Sequence, residues 1–107
     1  MSDLTALQAD LEKYKNELKL SYSLRDIKLT PAWKEIIDKG FVEGLTNELM
    51  MELAYIDEEK RQQCLNVLTG ISAFKQYIEE VQEKGASAPE RIAITEEAII
   101  QLLGEEQ

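Results

Sequence analysis

Leucines and one tyrosine recur three and four positions apart at the start of the chain, at Leu4, Leu7, Leu11, Tyr14 and Leu18, with polar or small residues between them. That spacing keeps one helix face apolar and predicts a heptad helix over about residues 3–20, within an N-terminal segment 1–22. Asp3 near its start and Lys15 and Lys19 near its end have the signs that suit the helix dipole. A less regular stretch, SYSLRDIKL, follows. Thr30-Pro31 then reads as an N-cap and a proline in the first turn. The short helix it opens runs to about Lys39, with Trp33, Ile36 and Ile37 inward and Gly40 placed as a left-handed C-cap.

Val42, Leu45, Leu49, Leu53 and Ile56 continue the three-and-four spacing and predict a third helix from about Phe41 to Tyr55. Met50 and Met51 broaden its apolar stripe, and Gly44 weakens its first turn. Asp57 is placed to cap a long fourth helix that ends at Lys84-Gly85, with an apolar line through Cys64, Val67, Leu68, Ile71, Phe74, Ile78 and Val81. About 27 residues at 1.5 Å each give a rod of roughly 40 Å. Gly70 allows a close crossing or a bend within it. The stretch GASAPER then breaks the pattern, and Ser87 and Pro89 open a last helix over residues 88–104 that carries Ile92, Ile99, Leu102 and Leu103.

The expected fold is therefore all-α, with about five helices: short helical hairpins around one long helix, preceded by the heptad helix. A single domain over residues 1–107 is expected, with its core in residues 30–84. Composition agrees, since only five glycines and two prolines interrupt a chain that is 44% hydrophobic and 31% charged. The net charge of −9 lies entirely beyond the first helix. Residues 1–29 hold five Lys/Arg and five Asp/Glu, whereas residues 30–107 hold seven and sixteen. Such a surface repels phosphate backbones and anionic lipid heads, so neither direct nucleic-acid binding nor membrane binding is expected. The lone Cys64 suits a reducing, cytoplasmic compartment. No segment has the pattern of a signal peptide or approaches the roughly 20 apolar residues of a membrane span.

Chemistry-bearing patterns are sparse. Without histidine the chain lacks the commonest general base and metal ligand, and with them any Ser/His or Cys/His pair. The Asp57-Glu58-Glu59 cluster lacks the glycine and alternation of a calcium loop, and no glycine falls in a phosphate-cradling pattern. Glu79, Glu80 and Glu83 read as a solvated helix face, and Cys64 as a packed thiol. No catalytic, metal or cofactor-binding residue is therefore expected, and no cofactor. Trp33, Met50 and Met51 fit a partner surface as well as they fit a core. A helix-turn-helix across Gly40 would present Glu43, Glu48 and Glu52 to DNA, which the charges oppose. An acidic imitation of DNA is the converse possibility, with a modest charge for that role.

At two and a half heptads, the N-terminal seam needs other packing to be stable. Two partners fit it: the long helix of the same chain, or the same helix of another copy. An oligomer interface through Leu4, Leu7, Leu11, Tyr14 and Leu18 is the expectation, because the later helices already offer one another apolar faces.

From about Leu24 to Val81 the chain resembles a group of small helical proteins of tailed bacteriophages. The likeness rests on the element Trp33-Lys34-Glu35-Ile36-Ile37-Asp38-Lys39-Gly40-Phe41, followed by EGLTNELMMELA and ISAFKQYIEEV. Gly44 departs from it, where the resembling chains usually carry a better helix former. The resemblance implies a phage origin and no catalytic residues. The expected function is that of a non-enzymatic phage protein working through protein contacts, with itself and with another protein, in the virion or in assembly. The alternative is an acidic host-takeover factor that binds and inhibits a bacterial protein. Either would act in the host bacterial cytoplasm.

Overall fold

The computed structural model describes residues 2–55 and 57–105. Among them the protein is helical without strands, with three α-helices and one π-helical segment rather than about five helices. Helix α1 spans Ser2–Lys28, the π segment Trp33–Gly44, α2 Leu45–Glu52 and α3 Glu58–Glu105. Among the described residues no helix is long and apolar enough to cross a membrane.

Two of the expected starts are present, and each cap bond is visible. The Thr30 hydroxyl accepts from the Trp33 amide at 3.2 Å and donates to the Ile27 carbonyl at 2.6 Å. It thus ties the end of α1 to the next helical turn, where Pro31 has no amide to satisfy. Asp57 Oδ1 accepts from the Lys60 amide at 2.9 Å and so caps α3.

Two expected breaks are absent. The sequence pattern places Gly40 as a left-handed C-cap and Gly85 at the end of the fourth helix, yet no described glycine has positive φ. Gly40 lies inside the π segment, and α3 runs through Gly85 and Pro89 without interruption. An interior proline costs about 3 kcal/mol because it removes one amide bond and crowds the carbonyl four residues back. The heptad stripe offsets that cost. Val81, Gly85, Ala88 and Thr95 are buried and Ile92, Ile99 and Leu102 half-buried, so the spacing holds on both sides of Pro89. The Ser87 hydroxyl donates to the Lys84 carbonyl at 3.2 Å, which supports the turn that enters the proline. Likewise α1 extends through SYSLRDIK, eight residues beyond the predicted end, and Leu24 there is buried.

Packing divides the chain into two compact units, one of Met1–Arg25 with Glu80–Gln107 and one of Asp26–Glu79. In the first, a β-carbon on Gly85 would overlap the β-carbon and hydroxyl of Ser21. The Arg91 guanidinium lies over the Tyr14 ring at 5.6 Å. Going from Ser21 back to Tyr14 therefore corresponds to going from Gly85 forward to Arg91, so the two helices run antiparallel. Continued at heptad spacing, that register sets Leu18 against Ala88, Leu11 against Thr95, Leu7 against Ile99 and Leu4 against Leu102. Small residues allow the close approach at the middle: Ala88 is fully covered, and the Ser21 hydroxyl is satisfied by the Leu18 carbonyl at 2.7 Å. The buried Thr95 hydroxyl is satisfied in the same way by the Arg91 carbonyl at 2.7 Å. On the outer face, Lys84 Nζ pairs with a Glu80 oxygen at 2.9 Å, and that carboxylate holds the ammonium above its ordinary value.

In the second unit the π segment and α2 pack on the first part of α3. Phe74 is the hinge of the contact. Its ring stacks beside Trp33 with centroids 6.3 Å apart and meets the edge of Phe41 at 5.5 Å and 89°. Ile71 and Cys64, about one and three turns N-terminal to Phe74 on α3, are buried. The π winding has its own signature: the Leu45 amide donates to the Gly40 carbonyl, five residues back. The Trp33 indole N–H reaches Asp38 Oδ1, also five residues away, at 3.0 Å. A β-carbon at Gly44 would lie 2.8 Å from the Lys39 carbonyl oxygen. Gly44 thus closes the wide winding where a larger residue would force it apart, and α-helix resumes at Leu45.

Candidate interaction surface

The N-terminal seam residues, expected at an interface between copies, find apolar cover within their own chain. Leu4, Leu7, Leu11, Tyr14 and Leu18 are all half-buried on the face of α1 that belongs with residues 80–105. Of the two partners open to this seam, the helix of the same chain is the one seated on it. Any contact between copies would have to use what this antiparallel pair leaves exposed.

Trp33, Met50 and Met51 do not form one surface. Trp33 is half-buried against Phe74 with its indole N–H committed to Asp38, which is the environment of an internal anchor. Met50 and Met51 remain 60% and 73% exposed. The geometry of α2 explains the difference. Leu45, Leu49 and Leu53 repeat at intervals of four and are half-buried, which turns Met51 to the opposite side of the helix and Met50 to its flank. Tyr55, in the turn after α2, is 89% exposed and is the one member of this surface that spacing did not single out. Ile56, expected to end the apolar line of the third helix, lies outside the described residues.

The sequence around these three side chains is acidic. Between residues 40 and 59 the chain carries Glu43, Glu48, Glu52, Asp57, Glu58 and Glu59 and no lysine or arginine. All six are exposed, and the Asp57 carboxylate also caps α3. On the other side of α2 a shallow groove opens toward α3, lined by Leu49, Glu52, Lys60, Gln63, Cys64 and Val67. The Cys64 thiol lies at its floor, 8% exposed. Among the described residues no three acidic or thiol side chains converge as metal ligands.

No protein-family model, no curated protein and no solved structure matches this chain.

Proposed function

We propose that this is a non-enzymatic bacteriophage protein that acts by binding another protein, as a virion component or an assembly factor in the host bacterial cytoplasm. The observation that carries the reading is the exposure of Met50, Met51 and Tyr55 together at one end of a well-formed helical unit. Methionine and tyrosine are over-represented where proteins meet, because they present large apolar area at low entropic cost or with an adaptable shape. All three fall within six residues, and Tyr55 is the most exposed of the large apolar side chains among the described residues. The phage assignment is supported by the element Trp33 to Phe41, and the absence of histidine from the chain supports a role without catalysis. Nucleic acid and anionic lipid are disfavoured partners for so acidic a chain.

A second reading is favoured by one specific observation, six exposed carboxylates between residues 40 and 59 in a stretch without lysine or arginine. In that reading the protein is a host-takeover factor whose acidic surface inhibits a bacterial protein with a basic site, such as a DNA-binding one. Quantitative mass spectrometry of purified particles and of infected cells separates the two. Many copies per particle, or enrichment in assembly intermediates, is the result the first reading predicts. Absence from both, with the protein held in a stoichiometric complex with a host protein, would replace it with the second.

A further inference from the structure

We infer that the α2 tip docks a positively charged protein segment with an apolar side chain at its centre, the apolar contact falling on Met51 and Tyr55. The inference rests on the contact role proposed above and goes further, by naming the chemistry of the partner. Its basis is the arrangement at the tip. Met51 faces away from the side of α2 that Leu45, Leu49 and Leu53 turn inward, so its surface is open to a docking partner. Tyr55 stands in the following turn with almost its whole surface in solvent. Apolar side chains exposed to this degree gain from burial at roughly 25 cal/mol per Å², which gives a partner something to bind beyond charge.

Charge chooses among the occupants. Glu48 and Glu52, one turn apart, lie to one side of Met51, with Glu52 at the edge of the groove toward α3, and Asp57, Glu58 and Glu59 follow Tyr55 in the sequence. Lys60 lines the groove on the α3 side with Glu52, and residues 40–59 carry no lysine or arginine. An acidic partner would bring further carboxylates against these, whereas a basic one is attracted to them as it docks. Carboxylates at the rim would raise the association rate and set orientation, and the apolar centre would supply the persistence of the complex.

The test uses the full chain, labelled with nitrogen-15, and three synthetic peptides. The probe is an amphipathic helix of leucine and lysine. One control keeps the leucines and replaces lysine by glutamate, and the other keeps the lysines and replaces leucine by serine and glycine. The expected result is amide shift changes confined to about residues 47–60 with the leucine-lysine peptide, weakening as salt rises. Affinity for that peptide should fall about tenfold in the combined Met51→Ser and Tyr55→Ser variant, and the peptide without leucine should bind about as weakly as that variant is bound. Both replaced side chains are exposed, so the variant should keep the helical signal of the parent, and matching spectra outside the tip verify this. Shifts centred on Glu79, Glu80 and Glu83 or on Glu96 and Glu97 would overturn the inference. So would equal binding of the leucine-free peptide, an unaffected double variant, or self-association through the tip that excludes the peptide. None of these outcomes bears on presence in particles, so the docking site and the virion role fail separately.

Discussion

Replacing Gly85 by alanine should destabilise the protein, although the same change elsewhere on the same helix should stabilise it. In an open helix interior, alanine is favoured over glycine by about 1 kcal/mol because it costs less backbone entropy. Gly70 tests that baseline, since a β-carbon there meets nothing within 4 Å. At Gly85 the added carbon collides with Ser21. The obstacle is the β-carbon of Ser21 as well as its hydroxyl, and Ser21 Cα stands only 3.7 Å away, so rotating the serine side chain gives no relief. The helices must separate, which costs about 1–3 kcal/mol for overpacking of this kind. Set against the propensity gain, Gly85→Ala is expected to be neutral to about 2 kcal/mol destabilising, whereas Gly70→Ala gains up to about 1. The difference between the two variants, roughly 1–3 kcal/mol, is free of the shared propensity contribution, and corresponds to several degrees in Tm for a chain of this size. Urea and thermal denaturation followed by circular dichroism measure it. Ser21→Gly combined with Gly85→Ala should recover most of the loss, because the glycine is then moved to the other helix. If Gly85→Ala stabilises as much as Gly70→Ala, the close approach of the two helices is wrong, and with it the register derived from it.

Three other outcomes follow from the packing. Phe74→Leu should lose about 0.5–1.5 kcal/mol by removing the ring contacts to Trp33 and Phe41 while keeping an apolar side chain, with a change in Trp33 fluorescence as the local reporter. Thr30→Ala and Asp57→Ala should each cost about 1 kcal/mol in denaturant titrations through loss of a cap, and an exposed threonine such as Thr69, whose hydroxyl only back-bonds to Leu65 O, should cost far less on the same change. The Cys64 thiol should react with a bulky disulfide reagent much more slowly in the native protein than in denaturant, and equal rates would contradict its burial.

The helical class and both capped starts were legible because they depend on local rules. The spacing of Leu4, Leu7, Leu11, Tyr14 and Leu18 defines a stripe whatever covers it, and the hydroxyl of Thr30 and carboxylate of Asp57 bond within their own turns. The partner of the stripe was not legible, because a heptad seam looks the same whether the second helix comes from this chain or another. Reading Gly85 and Pro89 as a boundary followed sound local preferences that tertiary packing overrides. The same residues extend the stripe at Gly85 and Ala88, where small size is what the neighbouring helix requires. Gly40 misled for a related reason. A glycine after Lys39 suits a C-cap, but here Gly40 and Gly44 permit a winding with five-residue bonds, for which no sequence pattern is established. Of the candidate partner surface, Met50 and Met51 were identified by residue type, while Trp33 belongs to the aromatic contact around Phe74. Only the facing of α2 distinguishes these two fates.

The N-terminal seam is covered by the C-terminal part of α3 in the same chain. A disulfide across the seam tests it most directly. In a Cys64→Ser background, Leu11→Cys and Thr95→Cys place two thiols opposite each other in the derived register. Mild oxidation should give an intrachain bond, seen as a monomer that migrates faster without reductant and loses two protons in intact mass. Disulfide-linked dimers, or two thiols that stay free, would contradict the account and return the seam to an interface between copies.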